Sequence, residues 1–311
     1  MNENYENNQP EEFTDLIELF KVIWRTKVII FLITFLFALA SFFYAKSLPD
    51  MYMSSAILAP TSEDDGLSSQ LDQYSSIASF TGINIPNNNT SKTQEAIQRV
   101  QSYDFFKSFI LPNIKLENLM AVKKWNSKDN SIVYDKNLYN AESSEWVRKK
   151  SHPLSKIPSP QEAYREGYLE ILKIKRDKDT GFVTISILHQ SPFISKDWVD
   201  LIIFNINESM RDLDKNNAEN SINFLNASFA LTNVQTIKEV ITNLLQAEMQ
   251  TLMLASSNKA YIFKSIDSAF VPEIKFGPRR FMIMIIGILL GMTMSIVVIF
   301  INFFTKSIRG Q

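Results

Sequence analysis

Cysteine is absent from the 311 residues of this chain. That excludes a disulfide framework, a thiolate metal site and a catalytic thiol. Histidine occurs only at His152 and His189, far apart and without H-x-x-x-H spacing, so a zinc site lacks ligands. The 8 glycines leave little scope for phosphate-cradling loops, and no G-x-x-x-x-G-K-[ST] run occurs, which excludes a P-loop kinase or ATPase. Net charge is -1, giving no electrostatic bias toward nucleic acid. The carboxylate run Glu63-Asp64-Asp65 lies in a polar stretch and reads as solvated. These absences point away from an enzyme, and no catalytic residue, cofactor site or metal site is expected.

What the chain does have is two long uncharged apolar runs near its ends, 28–45 between Lys27 and Lys46, and 281–305 between Arg280 and Lys306. Each is long enough to cross a hydrocarbon core, which takes roughly 20 apolar residues. Segment 46–280 then lies on one side of the membrane. Lys21, Arg25 and Lys27 precede the first run and only Lys46 follows it closely, which places the N-terminus in the cytoplasm. The second run is flanked by Lys275, Arg279 and Arg280 before it and Lys306 and Arg309 after it, a weaker and partly contrary signal. Ser41-Phe42-Phe43-Tyr44-Ala45 offers no small-x-small cleavage site, so the first run reads as an uncleaved anchor. The expected layout is a cytoplasmic tail over 1–27, spans over 28–45 and 281–305, an extracytoplasmic domain over 46–280, and a cytoplasmic tail over 306–311.

Within the domain, Tyr52 to Leu58 reads as a strand leaving the membrane, and 61–91 as a polar loop. The Asn-rich, acidic start, Met1 to Asp15, reads as disordered, and Leu16 to Trp24 as an apolar lead into the first span. Helical spacing runs through Ala96, Val100, Phe105 and Phe109 over 93–110. Leu169 to Lys175 and Phe182 to Leu188 read as a hairpin about the turn Asp177 to Gly181. Ser191-Pro192 starts a helix expected to run to about Asp212. From Asp214 to about Tyr261 there is neither Pro nor Gly. One continuous helix there would be about 70 Å long, so it should project and need lateral partners. Its uncharged stretch, 220–237, carries Asn220, Asn223, Asn226 and Asn233, which suits helix contact beside water better than lipid. Tyr261 to Phe270 reads as a returning strand, followed by Pro272 and Pro278.

Two clusters carry specific readings. Gly287, Gly291 and Ser295 form a small-residue stripe, matched by Thr34, Ala38, Ser41 and Ala45 in the first run. Such stripes let helix backbones approach closely in lipid, either within one chain or between subunits; glycine is also simply common in membrane helices. Arg148-Lys149-Lys150, near Trp146, reads as an ordinary solvated surface or as a contact for an anionic glycan or lipid pyrophosphate.

Gln250-Thr251-Leu252-Met253-Leu254-Ala255, Tyr261-Ile262-Phe263, Ile266-Asp267-Ser268-Ala269-Phe270-Val271-Pro272-Glu273 and Pro278-Arg279-Arg280 together resemble the chain length determinant (Wzz-type) family of polysaccharide co-polymerases. So do Asp15-Leu16-Ile17-Glu18-Leu19-Phe20 with Trp24-Arg25-Thr26-Lys27, and Tyr52 with Ser54-Ser55-Ala56-Ile57-Leu58. The resemblance is weakest between about 60 and 160. The family's segment before its second span carries prolines at three-residue spacing; here Pro272 and Pro278 fit, but Lys275 holds the middle place.

The resemblance implies an α+β fold in which two transmembrane helices flank a periplasmic α/β base with a long projecting helix. It implies a bacterial inner-membrane location with both termini cytoplasmic, and a ring-shaped homo-oligomer. It implies regulation of lipopolysaccharide O-antigen chain length beside the O-antigen polymerase, which works on undecaprenyl-pyrophosphate-linked polysaccharide. A capsule or exopolysaccharide export scaffold of related build is the nearer alternative. A two-span sensor is the other, disfavoured by cytoplasmic tails too short to signal. Expected site residues are the junction Pro272, Pro278, Arg279 and Arg280 and the packing stripe Gly287, Gly291 and Ser295.

Overall fold

Alternation builds the central sheet. In a computed structural model, which describes residues 24–61, 92–257 and 260–309, strand β1 spans Tyr52–Pro60 and buries Ser54, Ala56 and Leu58 on one face. A period of two is what a half-covered strand requires. Among the described residues, β1 takes its strand partners from far along the chain. The order is β6-β7-β1-β8, with β6 Leu172–Arg176, β7 Val183–His189 and β8 Phe263–Asp267, all antiparallel. Gly181 turns the β6–β7 hairpin at a φ of 72°, and the Asp177 carboxylate accepts from the Asp179 and Thr180 amides. The hairpin is therefore where it was expected, except that Leu169–Ile171 are helical and the first strand begins at Leu172.

Helix α4, counted after α1 Lys27–Ser47, α2 Lys92–Val100 and α3 Leu116–Met120, spans Pro192–Leu231. Ser191 caps it, its hydroxyl accepting from the Ile194 amide, with Pro192 in the first turn where a missing N–H costs nothing. Trp198, Val199, Ile202, Ile206 and Met210 recur at helical spacing and cover the sheet with Val183, Ile185, Ile187 and Phe263. A second group of aromatics closes the core from the side. Phe105, Phe106, Tyr164 and Tyr168 pack together, and Tyr168 donates to the Val100 carbonyl at 2.9 Å. The expected helix over 93–110 is interrupted. α2 stops at Val100 and Ser102 caps a fresh turn at Phe105, which continues as the π-helical Phe106–Ile110. Small strands β2 Val122–Asn126 with β3 Ser131–Tyr134, and β4 Tyr139–Asn140 with β5 Glu145–Trp146, complete this unit, 51–275.

The single helix expected over 214–261 is not what forms. α4 runs unbroken through Asp212 and Asp214 to Leu231, and a separate helix α5, Gln235–Ser257, follows. Thr232 turns extended at φ -93°, ψ 139°. No Pro or Gly marks the break; Thr232, Asn233 and Val234 are weak helix formers, and reversal lets α5 pack back along α4. Ala218 and Ile241 are buried in the resulting hairpin. Its return end is fixed at the root, where the Tyr261 hydroxyl donates to Asp214 at 2.6 Å and Lys92 pairs with the same carboxylate at 2.9 Å. Lateral company, which a lone helix would have needed from elsewhere, comes first from the chain itself.

The second unit, 1–50 with 276–311, holds α1 and α6, Arg280–Arg309. These are two helices long and apolar enough to cross a membrane. Residues 1–23 and 62–91, which hold the expected N-terminal tail and polar loop, lie outside the described residues.

Candidate functional site

The two apolar helices meet through their smallest residues. A Cβ on Gly287 would collide with Ser41 Cβ, and one on Gly291 would lie 2.7 Å from Phe37 Cβ and 3.0 Å from Thr34 Cα. Ser41 donates to the Ile283 carbonyl at 3.3 Å, and Ser295 and Ala45 are fully buried. Large side chains point the other way: Phe31, Leu32, Phe281 and Leu289 are all more than half exposed. Small side chains inside and large ones outside is the arrangement of helices whose solvent is itself apolar. The two stripes thus face each other within one chain. Thr34 Oγ1 is buried at this seam and has no hydrogen-bond partner among the described residues.

Arg280 ties the same pair at its other end. Its guanidinium donates to the Ala45 and Leu48 carbonyls, at 3.2 and 3.3 Å, and pairs with Asp50 at 2.9 Å. A cation at a helix C-terminus satisfies carbonyls that have no partner along the helix. Of the expected junction residues, Pro272 is buried, Pro278 half-buried behind a cis Gly277–Pro278 peptide, and Arg279 exposed. Pro272 belongs to unit 51–275; Pro278, Arg279 and Arg280 belong to the other.

Arg148 is no surface cation, although the sequence suggested one. Its guanidinium forms a two-pronged ion pair with Glu162, Nη2 to Oε2 at 2.7 Å, and donates to the Lys156 and Ser155 carbonyls. Both side chains are buried. The Arg148 hydrogen bond holds the Glu162 carboxyl below its ordinary range, outweighing burial. Lys149 and Lys150 alone remain exposed from that run.

His189 is likewise structural. The Ser191 amide donates to Nδ1 at 2.9 Å, so Nε2 carries the proton and donates to the Asn118 carbonyl at 2.9 Å. Trp198 packs edge-on at 5.2 Å, and burial pushes the imidazole below its ordinary value. Asn207, which the sequence reading passed over, ties α4 to β8. Its Oδ1 accepts from the Ile262 and Phe263 amides, and its Nδ2 donates to the Ile203 and Phe263 carbonyls. The signal was available in Asn205-Ile206-Asn207, two amides inside an otherwise apolar run. No group of three His, Asp or Glu side chains gathers to hold a metal among the described residues.

The helical hairpin carries a further groove. A groove of about 750 Å³ runs along α5, lined by Leu245, Met249, Met253 and Leu254 between Thr242, Gln246 and Gln250. Leu231 is 85% exposed, Phe224 71% and Met253 69%. Scattered exposed apolar residues are normal; on α5 Leu245, Met249 and Met253 recur at four-residue spacing along the groove.

The chain is thus a mixed helix-and-sheet protein bounded by two apolar helices. Its residues 12–111 match the family model of the chain length determinant protein, Wzz, so the family recognised in the sequence is the one whose model is matched. That span holds the first apolar helix, β1 and α2. No curated protein matches the chain. Among solved structures, a full-length bacterial polysaccharide co-polymerase is similar at 12% identity and a TM-score of 0.39, over 94% of this chain and 98% of that one. A fragment of WzzB, a polysaccharide co-polymerase from Salmonella Typhimurium, is similar at 14% identity and a TM-score of 0.29, over 74% of this chain and 100% of that one.

Proposed function

We propose that this chain is a chain length determinant of the bacterial inner membrane. It crosses the membrane twice, with both termini cytoplasmic and 46–280 in the periplasm. It sets the length of a surface polysaccharide, lipopolysaccharide O antigen, by holding the polymerase and its undecaprenyl-pyrophosphate-linked product on an oligomeric scaffold. The observation that carries this reading is the family match over 12–111. Three features support it. The apolar helices pack through glycine and serine, as lipid-immersed helices do. The buried titratable groups of the base, Arg148, Glu162 and His189, are each engaged in holding the fold. The hairpin α4–α5 presents apolar faces suited to neighbouring copies. Pro272, Pro278 and Arg279 stand for the proline-rich segment before the family's second span, and Arg280 fixes the two spans to one another.

The test is genetic. Deleting the gene is expected to turn a clustered distribution of O-antigen lengths into an unregulated one, and restoring it to bring the cluster back. A profile that does not move contradicts the assignment; a change confined to capsule or exopolysaccharide redirects it to an export scaffold.

A further inference from the structure

One end of the base carries an aromatic and apolar surface that its own core does not use. Trp125 of β2 lies against Tyr52, ring centres 5.4 Å apart, and against Phe193, 6.3 Å apart. Phe193, in the first turn of α4, is 43% exposed. Tyr52 opens β1 and pairs with His189, which closes β7, so the β1 start, the β7 end and the α4 start share one end of the sheet. β8 runs antiparallel to β1, and Ser54 donates to the Phe270 carbonyl at 2.7 Å, so the chain leaves β8 toward that same end. There Phe270 is 55% exposed and Ile274 83%. Lys123 and Lys124 beside Trp125 are exposed. Glu273 is the one acid in 270–275, and Lys275 follows it.

Both tethers to the apolar helices leave from this end. Four residues separate Ser47, the last of α1, from Tyr52, so the two lie at most about 18 Å apart along the chain. Five separate Ile274 from Arg280, at most about 22 Å. The interfacial layer beyond each face of a hydrocarbon core is several Å deep, and aromatic rings with lysines settle there because each presents an apolar body and a polar or charged tip. Acidic headgroups add attraction for exposed lysines within a Debye length.

We propose that Trp125, Phe193, Phe270 and Ile274, with Lys123 and Lys124, form a lipid-contacting rim that seats the base in the headgroup layer of a bilayer containing acidic phospholipid. This rests on the reading that α1 and α6 cross the membrane. The rim couples bilayer composition to the base, because its aromatics touch the start of α4, the helix that continues into the hairpin.

The absence of cysteine makes the test direct. In the full chain, single variants Lys123→Cys, Ile274→Cys, Lys178→Cys and Leu289→Cys are labelled with bimane and placed in nanodiscs of phosphatidylethanolamine and phosphatidylglycerol. Lipid brominated near the glycerol end of its acyl chains is the quencher. Lys178 lies in the β6–β7 turn, at the opposite end of the sheet. The labels at 123 and 274 are expected to lose about half their fluorescence, as for groups ~5–10 Å into the headgroup boundary. The label at 289 is expected to be quenched and that at 178 unaffected. Adding Lys124→Glu is expected to reduce quenching at 274 without altering the far-ultraviolet spectrum. Labels at 123 and 274 as bright as at 178, with 289 quenched, overturn the rim and leave the spans standing. An unquenched label at 289 overturns the membrane-crossing reading and the rim with it.

Discussion

Helix α4 passes through two environments. From Pro192 to Met210 it presses Trp198, Val199, Ile202, Ile206 and Met210 into a sheet, and its buried amides find partners. Beyond Asp214 the same helix is half of a hairpin in which Ala218 is buried while Phe224 and Leu231 stand exposed. The base closes its core within a single chain. The arm is paired but not covered. Substitutions in the base should therefore act on folding, and substitutions in the arm on assembly.

The largest effect is expected where the base has most to lose. Arg148→Ala strands the Glu162 carboxylate in a buried site and should cost about 3–5 kcal/mol, read as loss of the cooperative thermal transition. Asn207→Leu leaves the Ile262 and Phe263 amides without acceptors, at about 1–3 kcal/mol for the buried groups lost, read by the same melt. The apolar helix pair tests whether close approach is a general rule of helical hairpins in this chain. Gly291→Leu drives a side chain into Phe37 and the Thr34 backbone and should cost about 1–3 kcal/mol, seen as reduced thermal stability in detergent. Leu244→Gln on the exposed face of the arm should cost the single chain almost nothing.

A smaller effect depends on pH. Because burial lowers the His189 value in the folded state, the unfolded chain takes up its proton first. The contribution is fully present above the ordinary value, about 6.5, and is lost as pH falls through the folded value beneath it. The melting temperature should fall as pH drops from about 7.5 to about 5, and His189→Gln should flatten that portion of the slope. Smallest of all, Thr34→Val should stabilise the helix pair by about 1 kcal/mol, because it removes a buried hydroxyl that has no partner among the described residues. A loss of stability there would mean that the hydroxyl serves something beyond the single chain.

The parts of this fold that follow from periodicity were legible in the sequence. The apolar helices, β1, the β6–β7 turn and the Ser191 cap depend on local pattern, which a reader of the sequence can follow residue by residue. Three features depend on partners distant in sequence and were not legible. The reversal at Thr232–Val234 has no Gly or Pro; it exists because α5 gains more by packing on α4 than by extending it. Arg148 sits in a run with Lys149 and Lys150, and only Glu162, fourteen residues away, separates it from them. The role of Asn207 is set by the amides of Ile262 and Phe263. For the site, the stripe of Gly287, Gly291 and Ser295 was visible, whereas its partner could be chosen only from the fold. Arg280 was named as part of a proline junction, and its bonds to Ala45, Leu48 and Asp50 came from packing.

The most direct measurement is the mass of the full chain in nanodiscs, compared with a Met249→Gln, Met253→Gln variant that alters only exposed arm residues. The wild type is expected to be a multi-subunit particle. The variant is expected to shift to smaller species with its melt unchanged and, in cells, to lose the clustered polysaccharide lengths. A wild type that remains a single subunit at working concentration, or a variant of undiminished mass, would contradict the claim that the arm is covered by copies of itself.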